Sequence, residues 1–421
     1  MRFPTLDDWL CWQETLHPAR IELGLDRVGR VAERLELLDP RHPVVTVAGT
    51  NGKGSSVAML DSVLRAAGYR VGAYTSPHLL HYTERIRIDG LPAQDAALCE
   101  AFERIDRARG EISLSYFEFG TLAALLSFQS ADLDVALLEV GLGGRLDAVN
   151  LLDPDIALIT SIGLDHQAWL GDTREAIGRE KAGIMRPARP VVCADPEPPD
   201  SIAAHARDTG ARLLQIGSDF GYDAHGQTWD WWGGEGHEHR GLPRPALSGA
   251  VQLRNAAGIV MVLERLHDRL PVARAALDRG LGAVVLAGRF QRLPGSPECV
   301  LDVAHNPDSV AVLSAQLREH PVQGDTIAVI GVLDDKDLNA MLAPLRGLVA
   351  RWHVAAPDTP RARPAEEVRA ELCRVDRGWS VGVHADVAEA YRAARACACD
   401  VDRILVFGSF YTVAEVLALN V

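Results

Sequence analysis

Residues 44–55, Val44-Val45-Thr46-Val47-Ala48-Gly49-Thr50-Asn51-Gly52-Lys53-Gly54-Ser55, join a β-branched apolar run to a glycine-rich turn. The first half has the composition of a strand buried on both faces of a parallel sheet. Beyond the turn, Val57, Leu60, Val63, Leu64 and Ala67 recur at helical spacing, so the loop opens a helix. Three glycines let backbone N–H groups approach a bulky anion. The helix N-terminus adds roughly half a positive charge and Lys53 a whole one. Those features suit a nucleotide phosphate. The usual phosphate-loop pattern is met only in part, because Val47 and Gly54 stand where it has its first glycine and its hydroxyl. A plain strand-to-helix turn is the other reading of the stretch alone.

The chain has 421 residues, 48% of them apolar, enough for two cores, since single cores rarely grow past about 250–300 residues. Its 43 Lys and Arg against 57 Asp and Glu leave a net charge of −14, which opposes non-specific binding to nucleic acid or to anionic lipid. An anionic substrate must then be met locally, by a few placed cations or a metal. Seven cysteines are scattered without paired spacings, which fits a reduced cytoplasm. Cys397 and Cys399 could be half a metal site, but no second pair or histidine lies near them in sequence. With no basic start followed by an apolar run and no apolar stretch of membrane length, a soluble, untargeted, cytoplasmic protein is expected.

Taken in order, residues 5–38 read as two amphipathic helices around a turn at Leu23-Gly24. A short strand, 69–74, ends in Thr75-Ser76-Pro77-His78, and 85–90 alternates like a half-exposed strand. Helices follow at about 94–108 and 117–130. Residues 133–140 form a second buried strand with Glu139 near its carboxyl end, where an unpaired carboxylate is costly, so a metal ion or cation should be close. The strand 156–160 runs out towards His166, and a helix at about 172–185 contains Lys181, which could simply complement the helix dipole. Ligands of open α/β sheets collect at strand carboxyl ends, so Ser76, His78, Glu139 and His166 are placed for chemistry. Residues 218–247 carry Trp229, Trp231 and Trp232 among glycines, acids and histidines; an irregular sheet or surface flap is expected there, with no chemistry assigned. Helices at about 253–266 and 271–280 precede the Gly- and Pro-dense stretch 288–297, the best domain boundary. Strands at about 299–304, 326–331, 351–356, 380–384 and 403–408 then alternate with helices, which predicts a smaller doubly wound parallel sheet.

Together, Ala48–Ser55, Thr75–His78, Glu139–Ala148, Gly178–Ile184, Gly288–Gln291 and Asp302–Pro307 resemble the folylpolyglutamate synthase family of Mur-ligase-like, ATP-dependent amide ligases. The resemblance spans nearly the whole chain, weakens at about 195–248, and accounts for the unusual loop spacing. It implies an α/β fold: a P-loop-type, mostly parallel ATP-binding central domain over 1–287 and a smaller Rossmann-like, doubly wound glutamate-ligase domain over 288–421. Thr50, Asn51, Gly52, Lys53, Gly54 and Ser55, with Asn255, Arg289 and Asp302, match nucleotide-contacting positions. Ser76, Glu139 and His166 match magnesium positions for one or two ions. The lysine matching Lys181 can be carbamylated, which reverses its charge and makes it a further metal ligand. Arg20, Ile21, Glu22, Leu23, Ser115, Leu146, Asp147 and Ala148 match pterin-binding positions. Closing of the second domain over ATP is implied to complete the site.

The implied reaction transfers the ATP γ-phosphoryl group to a substrate carboxylate, and the glutamate amine attacks the acyl phosphate. Lys53, Lys181 and His305 are the residues implied for that chemistry. The expected substrates are dihydropteroate, L-glutamate and reduced folates, with no nucleic acid, no membrane and a monomeric chain. A monofunctional folylpolyglutamate synthase is the nearest alternative. A cell-wall Mur ligase would want a further N-terminal domain, and only about 40 residues precede the phosphate strand. A nucleotide-binding switch needs the loop but has no use for a second domain with loaded strand ends.

Overall fold

The computed structural model describes residues 2–17 and 22–419. Arg20 and Ile21 therefore lie outside the described residues. Chain contacts divide the protein into two units, one of residues 1–246 and 252–284, the other of 247–251 and 285–421.

The first unit is built on an eight-stranded sheet of β1 (Val44–Ala48), β2 (Val71–Tyr74), β3 (Ile86–Ile88), β4 (Leu91–Pro92), β5 (Val135–Glu139), β6 (Ile156–Ile159), β7 (Pro190–Cys193) and β8 (Arg212–Gln215). Their spatial order is β4-β3-β2-β5-β1-β6-β7-β8. All neighbours from β2 to β8 run parallel, and the edge pairings β2–β3 and β3–β4 are antiparallel. Every residue of β1, β2, β5 and β6 is buried, as continuous apolar runs between helical layers require. Register matters most for function. Val47 lies opposite Glu139, Ala48 opposite Ile159, and Tyr74 opposite Leu138, so four strands end side by side.

The helices predicted at 94–108 and 117–130 are Asp95–Arg109 and Tyr116–Gln129, and the two N-terminal ones are Leu6–Leu16 and Asp26–Arg34. Leu6, Trp9 and Gln13 are the buried face of the first, and Trp9 meets Phe102 at 6.0 Å between ring centroids. The helix expected over 172–185 is shorter, Arg174–Ala182, with a separate turn at Gln167–Leu170. Gly171, at φ +97°, separates the two.

Two features were not foreseen. Strands β7 and β8 extend the sheet, β7 just ahead of the stretch where the family pattern weakens and β8 within it. The tryptophan-rich region, where an irregular sheet or surface flap is expected, is an antiparallel sheet of β9 (Phe220–His225), β10 (Thr228–Gly233) and β11 (Glu238–Pro243), with a register shift between Trp229 and Trp231. Trp229 and Trp231, two apart on β10, are both buried, so the sheet has an apolar face. Part of the boundary stretch 288–297 is itself a strand, β12 (Gln291–Leu293), antiparallel to the strand Glu298–Asp302.

The second unit holds a six-stranded sheet of β12, β13 (Glu298–Asp302), β14 (Thr326–Ile330), β15 (Arg351–Val354), β16 (Ser380–Val383) and β17 (Arg403–Phe407), ordered β12-β13-β17-β14-β15-β16. Its other pairings are all parallel. The core around Trp352, Phe407, Leu342 and Leu372 is fully buried. All seven cysteines are free thiols. The fold does supply the histidine that the sequence around Cys397 lacked: Nε2 of His353 lies 3.6 Å from its Sγ, while Nδ1 bonds His384. Among the described residues, no helix is long and apolar enough to cross a membrane.

Candidate active site

The loop after β1 is shaped by two close approaches. A Cβ on Gly49 would stand 1.9 Å from Thr160 Oγ1, and one on Gly52 would stand 2.8 Å from Asn255 Oδ1. Gly52 also has φ +89°, a left-handed conformation that side chains resist. The loop after β6 clamps this turn. Thr160 and Ser161 donate their hydroxyls to Asn51 O at 2.7 and 2.9 Å, Asn51 N donates to Ser161 Oγ at 3.1 Å, and Thr50 N donates to Ser161 O at 2.7 Å. Thr160 and Ser161 were missed as site residues, because their role exists only once β6 pairs with β1. The helix Lys53–Ala66 starts on Gly52 with no side-chain cap, which leaves its first N–H groups for an external acceptor. Lys53 folds back over the loop, donating from Nζ to the carbonyls of Gly49 and Thr50 at 2.9 and 3.2 Å. Gly54 and Ser55 lie in the first turn of that helix.

Beside it, Glu139 ends β5 only 4% exposed and accepts the Ser76 N–H at 3.1 Å. His166, past β6, has φ +52° and donates its N–H to Asp165 Oδ1 at 2.9 Å. His78, in contrast, is occupied: its Nδ1 accepts from Arg85 Nε at 2.8 Å, and burial with that guanidinium pushes its pKa down to about 4. It is a neutral acceptor that fixes Arg85.

Lys181 is buried in the helix Arg174–Ala182. Burial and then the charge of Lys53 push its ammonium down to about 7, against the opposing pull of Asp165 and Asp147. An amine near neutrality is a nucleophile as well as a base, which helix-dipole complementation alone would not need. A buried carboxylate, a backbone-lined anion loop and carboxylates around a near-neutral lysine form a donor set suited to a hard divalent cation with a polyphosphate.

The three segments matched to pterin binding come together. Gly24 N, next to Leu23, donates to Leu146 O at 3.3 Å. From Glu22, an ion-pair chain runs through Arg27 to Glu118 (3.2 Å), whose Oε2 accepts Ser115 N at 2.7 Å. Arg27 and Glu118 were missed, since nothing in their sequence marks them as bridging distant loops. Ser115 also caps the helix Tyr116–Gln129, accepting from Glu118 N. Asp147 is 3% exposed, and its two oxygens accept the N–H groups of Leu142 and Val149 at 2.8 and 3.0 Å. Burial nevertheless raises its carboxyl to about 6. Ala148 follows it in a buried single turn, Ala148–Leu151.

In the second unit, Asp302 ends β13 and accepts from Phe290 N and Ala304 N, each at 2.8 Å. Burial raises its pKa against the pull of Arg289. One aromatic ring gathers the other residues: Phe410 lies 5.3 Å from the Arg289 guanidinium and 5.9 Å from the His305 ring. Nδ1 of His305 bonds Val303 O at 2.9 Å, and because a carbonyl only accepts, that nitrogen is the donor.

Known proteins resemble this chain along its whole length. The Mur ligase middle domain matches residues 47–227, and the Mur ligase glutamate ligase domain matches residues 288–410. The dihydrofolate synthase/folylpolyglutamate synthase of Escherichia coli (strain K12) is 45% identical over 98% of this chain and 94% of its own length. The structure of E. coli FolC in complex with DHPP and ADP matches with a TM-score of 0.94 at 44% identity, covering 99% of this chain and 98% of that one. A bifunctional folylpolyglutamate synthase/dihydrofolate synthase with Mn, AMPPNP and L-glutamate bound matches at 0.92 and 46% identity, over 99% and 98%. The strand-end site and the full-length likeness together establish that this chain belongs to the dihydrofolate synthase/folylpolyglutamate synthase family of Mur-type ligases.

Proposed function

We propose that this chain is an ATP-dependent ligase that joins L-glutamate to dihydropteroate, forming dihydrofolate, and adds further glutamates to reduced folates. The observation that carries this reading is the alignment of four parallel strand ends. It sets the buried Glu139 beside the glycine-rich loop, within a chain that matches ligases with those ligands over its full length.

The backbone of Thr50–Ser55 and the Lys53 ammonium hold the ATP phosphates, with Asn255 against Gly52 keeping the loop open on that side. Ser76, Glu139 and His166 would hold Mg2+, which would neutralise phosphate charge during transfer. Lys181, whose amine is pushed down to about 7, would add to CO2 through its Nζ with loss of one proton, and the carbamate would offer a further oxygen donor beside those residues. Glu22, Leu23, Ser115 and Leu146–Ala148, with Arg20 and Ile21, seat the pterin, and Asp147 accepts paired N–H donors from it. Arg289 and Asp302 contact the nucleotide, and His305 positions the acyl phosphate or the incoming glutamate.

The test is ADP release measured in parallel with dihydropteroate and with tetrahydrofolate. Turnover requires glutamate together with either pterin substrate. Turnover with tetrahydrofolate alone would make the enzyme monofunctional. Hydrolysis indifferent to glutamate and pterin would leave only a nucleotide switch.

A further inference from the structure

The antiparallel sheet β9–β11 takes no part in the ligase reading, yet it carries a concentrated set of metal-binding side chains. His239 lies in β11 and His237 just ahead of it, two residues away, and both reach one carboxylate. They meet Glu264 on the helix Val251–Leu266. Nδ1 of His237 is 2.9 Å from Glu264 Oε2, and Nε2 of His239 is 3.0 Å from Oε1. Glu264 is held below the usual carboxylate range, first by the His239 bond and, opposed by burial, by the His237 bond, so it is an anion at neutral pH.

Each imidazole nitrogen thus stands about 3 Å from one oxygen of a shared carboxylate, and the two rings have still to converge on a common point. His239 is braced: its ring lies 5.6 Å from that of Trp231, whose Nε1 donates to Ala257 O at 3.1 Å. His237 is half exposed, with a side-chain exposure of 49% against 14% for Glu264. The cluster therefore opens to solvent on one side, leaving room for water as a further ligand.

We infer that His237, His239 and Glu264 form a binding site for a borderline divalent transition-metal ion of the Zn2+ or Ni2+ class. Two imidazoles and one carboxylate suit those ions and not Mg2+, which prefers oxygen ligands. Each imidazole now bonds a different carboxylate oxygen, so capture draws the rings together, a movement that His237 can make at the surface. Nδ1 of His237 and Nε2 of His239 would be the ligating nitrogens, and a proton held on either leaves for the ring's other nitrogen or for water. Their lone pairs then face the ion, and no oxidation is needed.

The test uses the full, untagged chain, stripped by chelator and held in excess Mg2+ so that oxygen-ligand sites stay filled. Ni2+ is titrated by calorimetry and followed by tryptophan fluorescence. One ion should bind and quench emission, because the Trp231 ring lies 5.6 Å from that of His239. His237→Ala and Glu264→Gln should each weaken Ni2+ binding by about tenfold or more while glutamate-dependent ADP formation stays unchanged. His237→Ala removes only a half-exposed ring, so loss of folding does not confound it. The inference is overturned if the parent chain binds no Ni2+, or if both variants bind it as tightly as the parent.

Discussion

Gly52 and Asn255 meet so closely that a single methyl group on the glycine would lie 2.8 Å from the asparagine Oδ1. A residue of the helix Val251–Leu266 thereby limits what can occupy the phosphate loop. Gly52→Ala must move Asn255 and also adopt φ +89°, a backbone cost of about 1–2 kcal/mol. The expected outcome is a KM for ATP raised by about tenfold, with a lowered unfolding midpoint. Steady-state kinetics and thermal melts check both, and unchanged ATP kinetics would show that the contact is dispensable.

Lys181→Ala removes the amine proposed to carry CO2. The kcat should drop by about a hundredfold or more, the scale of losing metal-borne charge stabilisation. Acetate or formate should restore part of it by standing in for the carbamate. Wild-type activity in the variant would remove the carbamate from the mechanism.

Glu139→Gln keeps an acceptor for the Ser76 N–H but loses the negative charge. The Mg2+ concentration for half-maximal rate should rise by about tenfold or more. Chelation of divalent ions should stop turnover in both proteins. A Mg2+ titration identical to that of the parent would move the metal away from β5.

Asp147, raised to about 6 by burial, gives a pH test with a definite sign. As the pH falls through 6 the carboxylate gains a proton and loses its capacity to accept paired N–H donors. The kcat/KM for dihydropteroate should then fall by about tenfold per pH unit on that limb. The folded protein holds this proton more tightly than the unfolded chain. Stability from this group is therefore present near pH 4 and lost as the pH rises towards 6. An acid limb that persists unaltered in Asp147→Asn would assign it to another group.

Gly280 tests packing apart from chemistry. A Cβ there would lie 2.4 Å from Val63 Cα and 2.7 Å from Val63 N, where the helices Arg274–Ala283 and Lys53–Ala66 touch. Backbone cannot give way as a flexible side chain can, so Gly280→Ala should destabilise by about 1–3 kcal/mol. Urea unfolding would show this as a shifted midpoint, and no shift would mean the helices separate freely.

The alternation of buried apolar runs with amphipathic helices was legible because it is local: strand and helix periodicities are written into neighbouring residues. Val44–Ala48, Val135–Glu139 and Ile156–Ile159 could be read as parallel strands, and Ser76, Glu139 and His166 could be placed past or at strand ends. The antiparallel Trp sheet was legible only as an irregular sheet or a surface flap, since Gly221, Gly226, Gly233 and Gly236 interrupt its alternation.

What the sequence determined by itself was the α/β class and the kind of side chain at each strand terminus. What only the tertiary structure decided was which termini are neighbours. Thr160 and Ser161 clamp Asn51 only through the β1–β6 pairing, and Arg27 joins Glu22 to Glu118 only across packed helices. Local pattern carries propensity and burial. Register and helix packing bring residues far apart in the chain within hydrogen-bonding reach, and the chemistry depends on that reach.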